Sequence, residues 1–146
     1  MGFVVEDTKE IARPREEVFD FFSDMINETK WNPNVKTIES TTEGPIGIGT
    51  GFKAVYRKQG SMSFHITEYD RPSHWAMAGT APGVHFTFTS DMEDAPGGTR
   101  VHSRAEFDAK GPMKLLMPVM KNMMKKQMLD SQANLKAYLE NTAPTG

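Results

Sequence analysis

MKLLMPVMKNMMKKQML, Met113 to Leu129, gathers six of the chain's eleven methionines and four lysines and contains no acid. Three kinds of helix carry such a pattern: one that seeks a membrane surface, one that docks on a partner, and one that walls an internal cavity. At 100° per residue, Met113, Met117, Met120, Met124, Met128, Leu135, Tyr138 and Leu139 fall within an arc of about 100°, while Lys114, Lys121, Lys125 and Lys136 lie mostly away from it. The stripe therefore faces a core. A long helix is expected from about Gly111-Pro112 to Glu140, with Pro118 kinking it or marking its regular start. Leu, Ile and Val are the usual residues of such a seam. Methionine is unbranched and polarizable, so a wall built from it remoulds around variable contents.

Upstream of this helix the turn signals Glu43-Gly44-Pro45, Gln59-Gly60, Arg71-Pro72, Pro82-Gly83 and Ala95-Pro96-Gly97-Gly98 recur at strand spacing. Between them the pattern predicts strands over roughly 35–42, 50–59, 61–70, 73–80, 83–93 and 99–108, an antiparallel meander with one face in water. A first strand covers Gly2 to Ile11. Pro14 at a first-turn position and the acids Glu16 and Glu17 then open a short helix that buries aromatic residues, and Ser23-Asp24 caps a second one ending before Trp31-Asn32-Pro33.

Alternation assigns a side to each strand residue. The helix-facing set is Phe52, Ala54 and Tyr56; Met62, Phe64 and Ile66; Trp75 and Met77; Val84, Phe86 and Phe88; and Val101, Ser103, Ala105 and Phe107, with Glu68 sharing that side if the alternation runs unbroken. By the same parity His65, His74, His85 and His102 all point outward, and a single β-bulge would reverse the assignment downstream of it. Acid–base catalysis requires a titrating group inside the site, so this interior offers only Tyr56, Ser103 and Glu68 for such work.

Composition removes whole classes of function. The 146 residues fit a single domain, 1–146, large enough to bury a real core. Seventeen Lys and Arg against nineteen Asp and Glu leave a net charge of −2, which is no footprint for nucleic acid. Without cysteine there is no disulfide, thiol nucleophile or cysteine zinc site. The histidines lie on four successive strands with no carboxylate at ligand-like spacing, so no metal is expected. The glycines Gly44, Gly47, Gly49 and Gly51 precede a strand, not a helix, which argues against a phosphate loop; a tight loop between strands two and three is expected there. MGFVVE at the N-terminus has neither the apolar region of a secretory signal nor the myristoylation pattern, and no apolar run approaches the ~18 residues of a membrane span, so a cytoplasmic protein is expected.

The motifs, taken in order, resemble a known family. They run from Ile11-Ala12-Arg13-Pro14-Arg15-Glu16-Glu17-Val18-Phe19 through Ser23-Asp24, Trp31-Asn32-Pro33, Glu43-Gly44-Pro45-Ile46-Gly47-Ile48-Gly49-Thr50 and Ile66-Thr67-Glu68-Tyr69-Asp70-Arg71-Pro72 to Asn134-Leu135-Lys136-Ala137-Tyr138-Leu139-Glu140. This set resembles the polyketide cyclase/dehydrase and lipid-transport-like (SRPBCC) family of the START/Bet v 1 superfamily. The resemblance implies an α+β helix-grip fold: a seven-stranded antiparallel sheet wrapped around a long C-terminal helix, with two short helices after strand one. It also implies an apolar cavity between sheet and helix, which relatives use to bind lipids, hormones, quinones or polyketide-like rings, and some use to cyclise or dehydrate them.

The expected function is binding of a small hydrophobic or amphipathic molecule, such as a lipid, quinone or polyketide-like ring, with no cofactor. Phe52, Phe64, Ile66, Trp75, Met77, Phe86 and Phe88 would form floor and walls, and Met117, Met120 and Met124 an adaptable roof. Tyr56 and Ser103 would orient the ligand, and Trp31 would stand at the rim. The alternative is a cyclase or dehydratase that uses the cavity as a template and Tyr56 or Glu68 for proton transfer. Lys114, Lys121, Lys125 and Lys126 offer contact with an anionic membrane surface.

Overall fold

The computed structural model describes residues 2–58 and 60–141. Its elements follow the order β1 (Gly2–Ile11), α1 (Arg15–Ser23), a 3-10 turn (Met25–Asn27), α2 (Glu28–Trp31), β2 (Val35–Ser40), β3 (Gly51–Tyr56), β4 (Gly60–Asp70), β5 (His74–Ala81), β6 (Val84–Ala95), β7 (Gly98–Ala109) and α3 (Met113–Asn141). The seven strands form one antiparallel sheet in the order β1-β7-β6-β5-β4-β3-β2. Strands β2 to β7 are therefore a meander, and β1 closes on β7 through a ladder from Gly2↔Asp108 to Ile11↔Thr99. This is the α+β helix-grip architecture that the resemblance implies.

One face of the sheet is apolar because the alternation holds along most strands. In β6, Val84, Phe86, Phe88 and Met92 are buried, while His85, Thr87 and Asp91 are exposed or partly so. Helix α3 crosses this face and runs through Pro118, near its N-terminal end, without ending there. Its C-terminal end is tied to the end of β1. The Glu140 carboxylate accepts from the Ala12 backbone N–H at 2.9 Å and from Lys136 at 2.8 Å, and the Arg13 guanidinium donates to the Glu140 carbonyl. A buried hydrogen bond, from the Ser103 hydroxyl on β7 to the Gln132 side-chain oxygen at 3.1 Å, fixes the middle of the helix.

Helix α1 buries Val18, Phe19 and Phe22, and Phe21 stacks on Tyr138 of α3 with ring centroids 5.2 Å apart. Phe22 sits edge-on to Trp31, Trp75 and Phe88, joining the short helices to the sheet. Asp24 caps the 3-10 turn by accepting from the Ile26 N–H. Among the described residues, no helix is long and apolar enough to cross a membrane.

The alternation fails in one strand that matters for function. The β4–β5 register slips between Ile66 and Glu68, which leaves Thr67 as the extra residue of a bulge. Ile66 is buried, Thr67 and Glu68 are both exposed, and Tyr69 turns inward to meet the Phe19 ring at 5.2 Å. Glu68 is thus on the outer face, with its side chain 62% exposed, and not in the interior where unbroken alternation would put it.

Candidate functional site

Between the sheet and the middle of α3 lies a cavity of about 140 Å³. Trp75 and Met77 of β5 and Phe86 and Phe88 of β6 form its floor, continued by Ala105 and Phe107 of β7. Its roof is Met124, Gln127, Met128, Ser131 and Gln132 of α3. The far end is closed by Met25, Glu28, Trp31 and Asn32 around the second short helix, with Tyr56 at the end of β3. The site is mostly apolar with a few convergent polar groups, the usual chemistry of a small-molecule pocket.

Of the residues singled out from the sequence, Trp31, Tyr56, Trp75, Met77, Phe86, Phe88 and Met124 line this space. Others lie elsewhere. Phe52 and Phe64 stack on each other at 5.5 Å and belong with Ile66 to the packed core, without reaching the cavity wall. Ser103 does not line the cavity; its hydroxyl is spent on Gln132, which does. Met117 and Met120 cover a separate apolar cluster with Phe3, Val5, Val84 and Ala109, because the helix passes over β1 and the ends of β6 and β7 before it reaches the cavity. The adaptable part of the roof is Met124 and Met128. No residue of the glycine loop between β2 and β3 borders the cavity; Thr50 instead pins that loop to Ile66 and Gly47.

The polar end carries the group the sequence reading missed. Glu28 opens the single turn of α2 and is buried, 6% exposed. The Tyr56 hydroxyl donates to its Oε1 at 2.5 Å, and Asn32, one turn along the same helix, donates to Oε2 at 3.0 Å. Burial pushes the carboxyl up to about 7, against the opposing pull of those two hydrogen bonds. Burial, together with the neighbouring Glu28 charge and the hydrogen bond to it, also drives the Tyr56 phenol well above its ordinary range, so Tyr56 stays protonated and donates. A carboxyl that changes charge near neutrality beside a mostly apolar cavity can accept or release a proton. The surrounding Asn27-Glu28-Thr29-Lys30-Trp31-Asn32 reads as surface. Its one signal is the i, i+4 spacing of Glu28 and Asn32 beside a tryptophan.

None of the four histidines lines the cavity. His74 instead bridges two carboxylates on the outer face, Nδ1 to Asp91 and Nε2 to Glu68, each at 2.6 Å. Burial opposes its charged form, but the hydrogen bonds to Asp91 and Glu68 outweigh that and hold the imidazole above its ordinary value. The carboxylates occupy opposite ring nitrogens and do not converge on a point. No cluster of three or more His, Asp or Glu among the described residues has the geometry to hold a metal ion.

Comparison with known proteins places this architecture. The profile of the family described as polyketide cyclase/dehydrase and lipid transport matches residues 3–140. No curated protein matches the sequence. The Zhui aromatase/cyclase of a Streptomyces species superposes with a TM-score of 0.85 at 14% identity, covering 100% of this chain and 99% of that one. Ara h 8.0201 superposes with a TM-score of 0.73 at 19% identity, covering 97% and 100%. A protein from Thermus thermophilus superposes with a TM-score of 0.79 at 17% identity, covering 94% and 97%. These similarities extend over whole chains and show a common fold. With its profile match running from the first strand to the end of the C-terminal helix, the chain belongs to the polyketide cyclase/dehydrase and lipid transport family.

Proposed function

We propose that this protein binds a small, mostly apolar molecule in the cavity between the sheet and α3. The observation that carries this reading is the cavity itself, walled by Trp75, Phe86 and Phe88 on one side and Met124 and Met128 on the other, with its polar groups gathered around Glu28. A space of about 140 Å³ is close to that of an apolar cavity known to admit benzene, roughly 150 Å³, and well below the roughly 300–1,000 Å³ of pockets for drug-sized ligands. As it stands it accommodates one ring with a few substituent atoms. Larger occupants require the methionines to move, which their flexible side chains allow. Native mass spectrometry of the purified protein, followed by solvent extraction and identification of what co-migrates, tests the proposal; recovery of a small organic molecule at sub-stoichiometric or higher occupancy is expected. Protein that carries nothing and fails to take up toluene or similar single-ring probes would remove it.

A second reading, a cyclase- or dehydratase-type enzyme on a ring-forming substrate, is favoured by Glu28. Glu68 cannot serve, since it faces outward. The proton-transfer group would be Glu28 with Tyr56 as its partner. Turnover of a polyketide-like substrate that survives both Glu28→Gln and Tyr56→Phe would count against this assignment.

Delivery at a membrane surface has its own observation. Leu115, Leu116 and Val119 are 83%, 52% and 78% exposed on the first turns of α3, beside Lys114 and Lys121. An apolar patch with only cations around it suits an anionic lipid interface. Flotation with phosphatidylserine vesicles should depend on these residues and weaken with salt.

A further inference from the structure

Among the described residues that line the cavity, Glu28 alone is an acid, and no lysine, arginine or histidine from any surrounding element joins it. Lys30, on the same short helix, is exposed and holds its ammonium over the Phe21 ring. The side chains that act on the Glu28 carboxyl are Tyr56 and Asn32, both neutral and both lining the cavity. Each donates to one of its oxygens, an arrangement that favours the carboxylate ion over the acid. The carboxylate thus has hydrogen bonds but, among the described residues, no counter-charge. Buried charges in proteins are paired, and one left unpaired is costly.

We propose that the cavity takes a small organic ammonium: a single-ring amine whose cationic nitrogen lies beside Glu28 and whose ring lies against Trp75, Phe86 and Phe88. The size of the cavity sets the single ring. The lone carboxylate sets the sign of the charge, because the attraction between opposite charges grows as water is excluded. The neighbouring aromatic rings suit a cation as well. Trp31 and Tyr56 close the same end of the cavity as Glu28, and the faces of such rings attract positive charge. An anion of the same shape would be repelled by Glu28, and no cation of the lining would offset this. A neutral molecule would favour the protonated acid, since it adds burial without charge. The inference rests on the ligand-binding reading above and specifies its chemistry.

The test compares four probes of similar shape: benzylamine, benzyl alcohol, toluene and benzoate. Binding is followed by calorimetry between about pH 6 and 8, where the amine stays cationic and benzoate anionic. At about pH 8 benzylamine should bind about tenfold or more tighter than toluene, as expected for a charge-assisted contact with a buried partner, and benzoate should bind most weakly. A cation favours the ionised acid, so benzylamine should bind tighter as pH rises through about 7, whereas toluene should not. Glu28→Gln should remove both the advantage of benzylamine over toluene and its pH dependence. Tyr56→Phe keeps the carboxyl but deletes a donor to it, so the pH at which the advantage appears should move upward. Thermal unfolding shows whether each variant is folded, and the Tyr56→Phe shift decides the matter if Glu28→Gln is not. Benzylamine no tighter than toluene at about pH 8, a preference that weakens as pH rises, or one untouched in Glu28→Gln overturns this inference while leaving the cavity as a binding site. Failure of every probe, toluene included, overturns both.

Discussion

The hydroxyl of Tyr56, the last residue of β3, lies 2.5 Å from the carboxylate of Glu28, the first residue of a one-turn helix. The two are joined at one end of the mostly apolar cavity between the sheet and α3, and burial raises the acid to about 7 there. Stability should record this. A carboxyl raised from 4.5 to about 7 binds its proton more tightly folded than unfolded, so stability falls as pH rises through that interval and is level above it. The full effect is about 3 kcal/mol. Urea unfolding between pH 4.5 and 8 should show this decline in the wild-type protein, and Glu28→Gln should flatten it and be the more stable protein at pH 8. A parallel pH dependence in both proteins would contradict the burial of this charge.

His74 acts over the adjoining range. Its folded value is raised by Asp91 and Glu68, so its contribution is complete below the ordinary 6.5 and is lost as pH climbs through the raised value. Because both carboxylates are largely exposed, the amount is small, on the order of 0–1 kcal/mol. Proton NMR titration of the imidazole should place its midpoint above those of small peptides, and Asp91→Asn should lower it.

Gly79 of β5 leaves no space for a side chain. A Cβ there would meet the Ser63 carbonyl oxygen at 2.5 Å, the Phe64 Cβ at 2.6 Å and the Phe86 ring at 2.7 Å. One of these contacts is backbone, so the sheet itself would have to shift. Gly79→Ala should destabilise the protein by about 2 kcal/mol or more, measured by denaturant unfolding, and should disturb the Phe86 wall of the cavity.

Ser103 and Gln132 bond to each other across the interface of sheet and helix, both buried. Replacing either alone strands the other's polar group and should cost about 1–3 kcal/mol. Ser103→Ala combined with Gln132→Leu should cost less than the two single changes added together, and a double-mutant cycle measures the difference.

On the helix surface, Leu115→Ser with Val119→Ser should lower flotation with anionic vesicles severalfold and leave thermal stability within about 0.5 kcal/mol, since neither side chain packs against the core. Unchanged flotation would detach these residues from membrane contact.

Much of the architecture was legible along the chain. The turn signals and alternation anticipated all seven strands, and the methionine periodicity placed α3 against the sheet, because amphipathic patterns record burial directly. Trp75, Phe86 and Phe88 fell on the correct face for the same reason. Glu68 was misplaced by one inserted residue, Thr67, since a strand's parity carries no trace of a bulge that its partner strand imposes. Met117 and Met120 share the buried stripe with Met124, yet cover a different cluster; helical phase gives the direction a side chain faces and not what lies opposite it.

By itself the sequence determined which surfaces must be hidden: a helix with one methionine face and strands with one aromatic face can satisfy their apolar groups only against each other. What the tertiary structure alone decided is where that contact is left incomplete and which polar groups are closed inside it. Glu28 is ordinary by every local measure. It becomes the cavity's titrating group because β3 carries Tyr56 to it and α3 seals the space around both, and the charge of a carboxylate depends on the surroundings that distant parts of the chain supply.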